Sequence, residues 1–310
     1  MTGSSRAARR AGPKQYVLAG QGIEPPPLAP GLHVVATPIG NLRDVTLRAL
    51  ETLAAADLIA CEDTRLTRRL TDHYGMRTEL TRYDDHNAEV ARPRLLEALA
   101  AGLSVALASD AGTPLISDPG YKLVRAAHEA GLRVSAAPGP SAVMMALTVA
   151  GLPTDRFLFD GFLPARGGPR RTRIAALKAI PATLVLFETA PRLKATLGEL
   201  ADALGPRPAA VCRELTKIYE QVDRDDLCGL ARRYAQAPPP RGEIVLVVAP
   251  PVDDVAAVTL ETVDALLRQE LSGRSVKDAV EDVAARSGRP RREVYRRALA
   301  LKQAGDANGG

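Results

Sequence analysis

The sequence predicts an α/β protein of two domains with a small helical extension at its C-terminal end. Three observations carry that prediction. From Leu32 onward, short continuous apolar runs alternate with amphipathic segments at helical spacing, the pattern of β-α-β units around a parallel sheet buried on both faces. The chain has 310 residues, enough for two domains of ordinary size and a small third. Its last fifty or so residues read as helix throughout, too few to bury a large core.

Residues 1–30 read as a disordered tail: Ser, Gly and Arg first, then Glu24-Pro25-Pro26-Pro27, with no apolar period. The first α/β domain is expected over 31–153. Its strands are "LHVVAT" (32–37), "DLIACE" (57–62), "LSVALAS" (103–109) and "LRVSAA" (132–137). Helices are expected at 45–56, 64–74, 89–101, 120–131 and 140–150, with Gly131 ending the fourth. "GLPTDRF" is a linker with a turn. The second α/β domain, 154–251, is expected to have strands at 156–160, 182–188, 208–213 and 243–249 and helices at 169–180, 191–204 and 224–236. The proline run 238–240 stops the last of these helices, and Pro250-Pro251 closes the domain. The extension, 256–303, reads as three helices, the last two joined by a short Ser-Gly turn in a helix-turn-helix manner.

The composition, 46% hydrophobic and 25% charged, is that of a soluble globular protein. No apolar stretch reaches the ~18 to 20 residues of a membrane-spanning helix, and the basic N-terminus lacks the apolar core of a secretory signal. Cys61, Cys212 and Cys228 are scattered without ligand spacing, which argues for a reducing compartment, the cytoplasm, and against a metal site or a disulfide framework. The net charge of +5 suggests an anionic partner without demanding one. Residues 166–178 hold five basic residues and no acid, and 271–303 hold nine basic against four acidic. Either cluster alone reads as a solvated face; together they make a phosphate-rich substrate worth considering.

Four loops fall at the carboxyl ends of strands, where α/β sheets bind ligands. They are Thr37-Pro-Ile-Gly-Asn-Leu42, Ala60-Cys-Glu-Asp-Thr-Arg65, Ser109-Asp-Ala-Gly-Thr-Pro114 and Ala137-Pro-Gly-Pro-Ser-Ala142. Any one of them alone is as readily a plain connection with an N-cap. Small residues and prolines suit a ligand read by rigid main chain at close range. The absence of a phosphate-cradling lysine and of a dense glycine nest disfavours a triphosphate. A cationic or zwitterionic adenosine compound such as S-adenosylmethionine fits better, with Asp110 the nearby carboxylate. Asp118-Pro119 reads as the start of the next helix, Asp118 as N-cap and Pro119 at the first helical position.

"VATPIGNLRDVTLRALE", "CEDTR", "DHN" (85–87), "SDAGTPLISDPG", "PGPSA", "GLPTDRF…GFLP" and "RELTK" (213–217) together resemble the tetrapyrrole methylase superfamily. Within it they look like the ribosomal RNA small-subunit methyltransferase I branch, from about residue 32 to 250, and the C-terminal helices resemble that branch's extension. The resemblance implies a parallel-sheet N-terminal domain, a second mixed-sheet domain and S-adenosylmethionine in the cleft between them. It implies 2′-O-methylation of a cytidine in the decoding region of 16S rRNA, on naked RNA or the assembled 30S subunit, by a homodimer. Carried onto this sequence, the cofactor contacts are Ile39, Gly40, Asp110, Gly112, Thr113, Ser141, Ala142 and Gly242.

Methyl transfer to a hydroxyl is an in-line displacement aided by orientation and by a base. His86, Glu62, Asp63 and Asp85 are candidate bases, with Glu188 behind them. A loop histidine is more often merely satisfied, and Glu62 and Asp63 are equally able to pair with Arg65 or the basic helix after it, so the sequence does not choose. Arg65, Arg166, Arg170, Arg171, Arg173 and Lys217 are candidate RNA contacts, with "PARGGPRRTR" expected as a mobile loop that orders on RNA. Val294, Ala298 and Leu299 are expected to pack the last helix, leaving its arginines free. With no Trp, seven Tyr and four Phe, an aromatic base-stacking platform is disfavoured. Two other readings stay open: methylation of a small tetrapyrrole or corrin precursor, and a non-catalytic RNA-binding ribosome-assembly protein.

Overall fold

The computed structural model describes residues 14–251, 260–287 and 289–307. They form two compact units: an α/β body running to Ala249 apart from Lys178–Pro181, and a C-terminal unit that begins at Pro250 and takes in that short segment.

The first sheet of the body is built from β3 (Gly31–Val35), β4 (Leu58–Cys61), β5 (Leu80–Arg82), β6 (Ser104–Ala108) and β7 (Val134–Ala137), in the order β5-β4-β6-β3-β7. All four of its strand pairings are parallel. Both faces are covered, as continuous apolar strands require. Leu50, Leu53 and Ala54 of α1 (Leu47–Ala55) and Leu70 of α2 (Thr64–His73) pack on one side with Val35, Ile59 and Ala106. Leu95 and Leu99 of α3 (Ala88–Ala100) and Leu123 of α4 (Tyr121–Glu129) pack on the other with Leu32, Val105 and Leu107.

The second sheet comprises β8 (Phe157–Phe162), β9 (Thr183–Thr189), β10 (Pro208–Arg213), β11 (Gln221–Asp226) and β12 (Glu243–Val248), in the order β11-β10-β12-β9-β8. Only β8 and β9 pair in parallel, so this sheet is mixed. Helix α5 (Ala142–Ala150) follows β7 in sequence but packs on this second sheet. Its Val143, Ala146, Leu147 and Ala150 meet Val185, Ala210, Cys212, Val245 and Val247, with Ile39 in the same cluster. That shared core brings the strand ends of the first sheet to the face of the second.

The structure corrects several expectations. Residues 1–13 lie outside the described residues, but part of the expected tail is a hairpin, β1 (Tyr16–Leu18) with β2 (Gln21–Ile23), docked by Tyr16 into the first core. Strand β5 is too short to show a period. Strand β11, "QVDRDD", is a charged edge paired only with β10, so its sequence reads as the helix start expected at 224; α8 begins at Leu227 with Asp226 as its N-cap. The helix expected at 169–180 is α6 (Gly167–Leu177), with Pro169 in its first turn, so most of "PARGGPRRTR" (164–173) is helix and not the expected mobile loop. Asp118 does not cap α4: the cap position is Gly120, which offers no side chain.

The C-terminal unit holds α9 (Leu260–Leu271), α10 (Val276–Ser287) and α11 (Arg291–Ala307) around Val263, Leu267, Val280, Val283, Val294 and Ala298. Val294 and Ala298 are in this core as expected, but Leu299 faces solvent at 39% exposure. Among the described residues no helix is long and apolar enough to cross a membrane.

Candidate active site

The strand-end loops of the first sheet and the strand ends of the second enclose a cleft of about 550 Å3, within the range of small-molecule sites. The first sheet contributes Ile39, Asp110, Ala111, Ile116, Ser117 and Asp118, and α5 contributes Ala142 at its first turn. The second sheet contributes Phe162, Phe187, Glu188, Leu215, Gly242, Glu243 and Val245.

The backbone of this wall is braced. Thr37 and Gly112 exchange main-chain hydrogen bonds of 2.9 and 3.0 Å, and the Thr37 hydroxyl donates to the Ser109 carbonyl at 2.9 Å. Thr113 Oγ1 donates to the Pro140 carbonyl at 3.1 Å, so the 109–114 and 137–142 loops are tied together. Ser141 caps α5 by accepting from the Met144 amide. Glycine is required at 242: φ is +97°, and a Cβ there would run into the Glu214 carboxylate. A Cβ at Gly40 would sit 2.6 Å from the Lys217 stem. Of the expected cofactor residues, Ile39, Asp110, Ala142 and Gly242 line the cleft, while Gly40, Gly112, Thr113 and Ser141 stand behind it as framework.

The carboxylates separate into distinct roles. Asp63 caps α2, accepting from the Arg65 amide at 2.8 Å, and the Arg65 guanidinium grips it at 3.0 and 2.6 Å. That grip holds its pKa down to about 2, which makes Asp63 a poor base near neutrality. Its own amide donates to Asp110 Oδ1 at 2.9 Å. Asp84 is buried, accepts from the amides of His86 and Asn87 at 2.8 and 2.9 Å, and pairs with Arg82. This turn leaves Asp85 and His86 exposed and outside the cleft lining, because the fold's interest in the segment is its buried first residues, Tyr83 and Asp84. Glu62 also stands outside the lining; burial raises its pKa, with Asp110, Asp84 and Asp85 adding to the rise. None of the four expected bases therefore lines the cleft.

Sequence reasoning missed Asp118. It lines the cleft, and burial pushes its pKa up to about 7, reinforced by Glu62, Asp110 and Asp85 and opposed by the neighbouring Ser109 hydroxyl. The available signal was that a second Asp follows Asp110 within one strand-end loop. Glu188 also lines the wall, but it is 2% exposed and fully engaged. It accepts from Thr196 Oγ1 at 2.6 Å and the Thr189 amide at 2.7 Å, and it pairs with Arg192 at 3.2 Å.

The expected RNA contacts divide as sharply. Arg170 is 8% exposed and donates to both oxygens of Glu199 at 2.7 and 2.9 Å, so it is a structural ion pair rather than a phosphate contact. Arg173 is paired with Asp160. Lys217 lies between Glu214 and Glu243 at 2.7 and 3.0 Å. Arg166 and Arg171 face solvent, with only a long 3.7 Å approach of Arg171 to Glu199, and Arg65 is exposed although bound to Asp63.

No lysine or arginine is among the described residues lining the cleft, whereas Asp110, Asp118, Glu188 and Glu243 are. A lining of close main chain, carboxylates and apolar side chains suits a cationic ligand without phosphate, as S-adenosylmethionine is. Residues 31–231 match the model of the Tetrapyrrole (Corrin/Porphyrin) Methylases, and 256–302 match that of the RsmI C-terminal HTH domain. A ribosomal RNA small subunit methyltransferase I of Mesorhizobium japonicum is 52% identical over 92% of this chain and 97% of its own length. One of Escherichia coli O157:H7 is 44% identical over 86% and 94%. Among solved structures, a diphthine synthase shares the fold at a TM-score of 0.55 and 18% identity, covering 70% of this chain and 89% of its own. A cobalt precorrin-4 methyltransferase does so at 0.54 and 16%, covering 70% and 94%. The chain belongs to the tetrapyrrole methylase family of S-adenosylmethionine-dependent methyltransferases, and within it to the ribosomal RNA small subunit methyltransferase I branch.

Proposed function

We propose that this protein methylates the 2′-hydroxyl of a cytidine ribose in the decoding region of 16S rRNA, acting as a homodimer on the RNA or on the 30S subunit. The observation that carries this reading is the carboxylate- and backbone-lined cleft in a chain whose relatives, at 44 to 52% identity, are named for small-subunit rRNA methylation.

S-adenosylmethionine, when bound, supplies an electrophilic methyl group on a positively charged sulfur. Ile39, Gly40, Asp110, Gly112, Thr113, Ser141, Ala142 and Gly242 are the residues proposed to hold it. Asp110 and the main-chain carbonyls favour its positive charge, and Gly242 lets the second sheet's backbone come close. Phe162, Phe187 and Val245 keep that side of the cleft apolar and exclude water. Orientation of two bound partners supplies most of the rate enhancement. Arg65, Arg166 and Arg171 are the exposed guanidiniums proposed for RNA phosphates.

The test is to map 2′-O-methyl groups on 16S rRNA from matched strains with and without this protein, alongside transfer of labelled methyl to purified 30S subunits. Loss of one 2′-O-methylcytidine in the decoding region is expected. Label that goes only to a porphyrinoid supports the corrin-type reading instead, and calorimetry without cofactor binding excludes both enzymatic readings.

A further inference from the structure

The loop that leaves β6 through Asp110 does not run directly into α4. Leu115 and Ser117 both adopt left-handed backbone, with φ of 74° and 56°, a region that side-chain-bearing residues enter only when the surroundings compel it. The surroundings are visible. Gly120 is pressed against Leu107, where a Cβ would fall 2.7 Å from its side chain, and Ser117 Oγ lies 3.0 Å from the Cβ position of Gly161 in β8. The strain has a local consequence: Asp118 is turned away from the helix end it would otherwise cap and into the cleft.

Four carboxylates line that cleft, and three already have partners. Asp110 accepts the Asp63 amide, Glu188 is held by Arg192, Thr196 and Thr189, and Glu243 is paired with Lys217. The groups acting on Asp118 are Glu62 after β4, Asp85 after β5, Asp110 on its own loop and the Ser109 hydroxyl; no cation is among them. It is the cleft carboxylate left to take up a proton.

Resting on the ribose-methylation reading above, we infer that Asp118 is the general base that accepts the proton of the ribose 2′-hydroxyl. The hydroxyl's O–H bond breaks and its proton passes to the Asp118 carboxylate. The oxygen's electron pair forms the new O–methyl bond, and the pair of the severed S–C bond stays on sulfur. One carboxylate and one sulfonium thus become a carboxylic acid and a neutral thioether. The raised affinity of Asp118 for a proton matches the task, since a base works best with a pKa near the working pH.

The experiment compares the full-length wild type with Asp118→Asn and Asp118→Glu on 30S subunits. Asp118→Asn should lower kcat by about a hundredfold or more while S-adenosylmethionine affinity by calorimetry stays within a few fold. The wild-type kcat should rise with pH around a midpoint near 7, shift in Asp118→Glu and go flat in Asp118→Asn. In the cofactor-free protein, infrared difference titration should show a carboxyl ionising near pH 7 that Asp118→Asn lacks. An Asp118→Asn enzyme with near-normal kcat, or one whose cofactor affinity falls as far as its kcat/KM, overturns the assignment while the methylation reading stands. A wild type that transfers no methyl to ribose overturns both.

Discussion

Asp110 and Asp118 sit on one loop and face one cleft, yet their environments set them different tasks. Burial raises the pKa of Asp110 as well, but Asp110 accepts a main-chain N–H from Asp63 at 2.9 Å, which favours its charged form. Asp110→Ala should weaken S-adenosylmethionine binding by roughly tenfold or more, the scale of a hydrogen bond to a charged group, with the fold retained; calorimetry and thermal melts check both. Asp118 carries a pKa raised to about 7, so the fold opposes its ionisation. The native state then holds a proton that the unfolded chain releases, and stability falls as pH rises from about 4 to about 7. Asp118→Asn removes that penalty: it should be more stable than wild type to urea at pH 8 and indistinguishable at pH 4. Gain of stability with loss of turnover in one variant is the signature of a site held against its folding preference.

At the scale of elements, α6 shows how a basic run is divided by burial. Its arginines at 170 and 173 lie three residues apart and meet Glu199 and Asp160, whereas Arg171 is exposed with only a 3.7 Å approach to Glu199, and Arg166 stands just before the helix start. Arg170→Ala should cost about 3 kcal/mol, because it leaves Glu199 without its buried partner, and denaturant titration reads it directly. Charge reversal at Arg166 and Arg171 should leave the melting temperature nearly unchanged. It should weaken RNA affinity and flatten its dependence on log salt by roughly 1 to 2, with cofactor affinity intact. The same burial argument explains which elements were hard to read. Strand β11 carries four charged residues in six and is held by its ladder to β10 alone, so its side chains reveal a solvated edge and nothing of a strand.

At the scale of the molecule, the three-helix unit has an apolar centre of its own, Val263, Leu267, Val280, Val283, Val294 and Ala298, while the body's clusters close without any of those residues. A chain ending at Ala249 should therefore fold, melt cooperatively and bind S-adenosylmethionine within a few fold of the full-length protein. Its RNA affinity should fall, which filter binding at matched salt measures. A truncated body that aggregates or loses the cofactor would show that the helices complete the body instead. Within the body, α5 is the decisive joint: it belongs in sequence to the first sheet and in packing to the second, and it sets Ile39 and Ala142 beside Gly242 and Val245.

The sequence by itself determined the alternation of strands and helices, the strand-end loops with Asp110 among them, and the family, because those features rest on local periodicity and on short motifs in fixed order. Only the tertiary structure decided which polar residues are free. Asp63 was taken up by Arg65, a pairing the sequence left open, while Arg170 was taken up by Glu199 and Asp85 and His86 were turned to solvent by the Asp84 turn, through a partner or a backbone turn that no spacing discloses. Asp118 reversed in the other direction. Its Asp-Pro-Gly context is that of a helix cap, and two left-handed residues packed against neighbouring strands convert it into a cleft carboxylate with no cation among the groups acting on it. Burial and strain are properties of the assembled chain, and here they chose the residues that the motifs had only nominated.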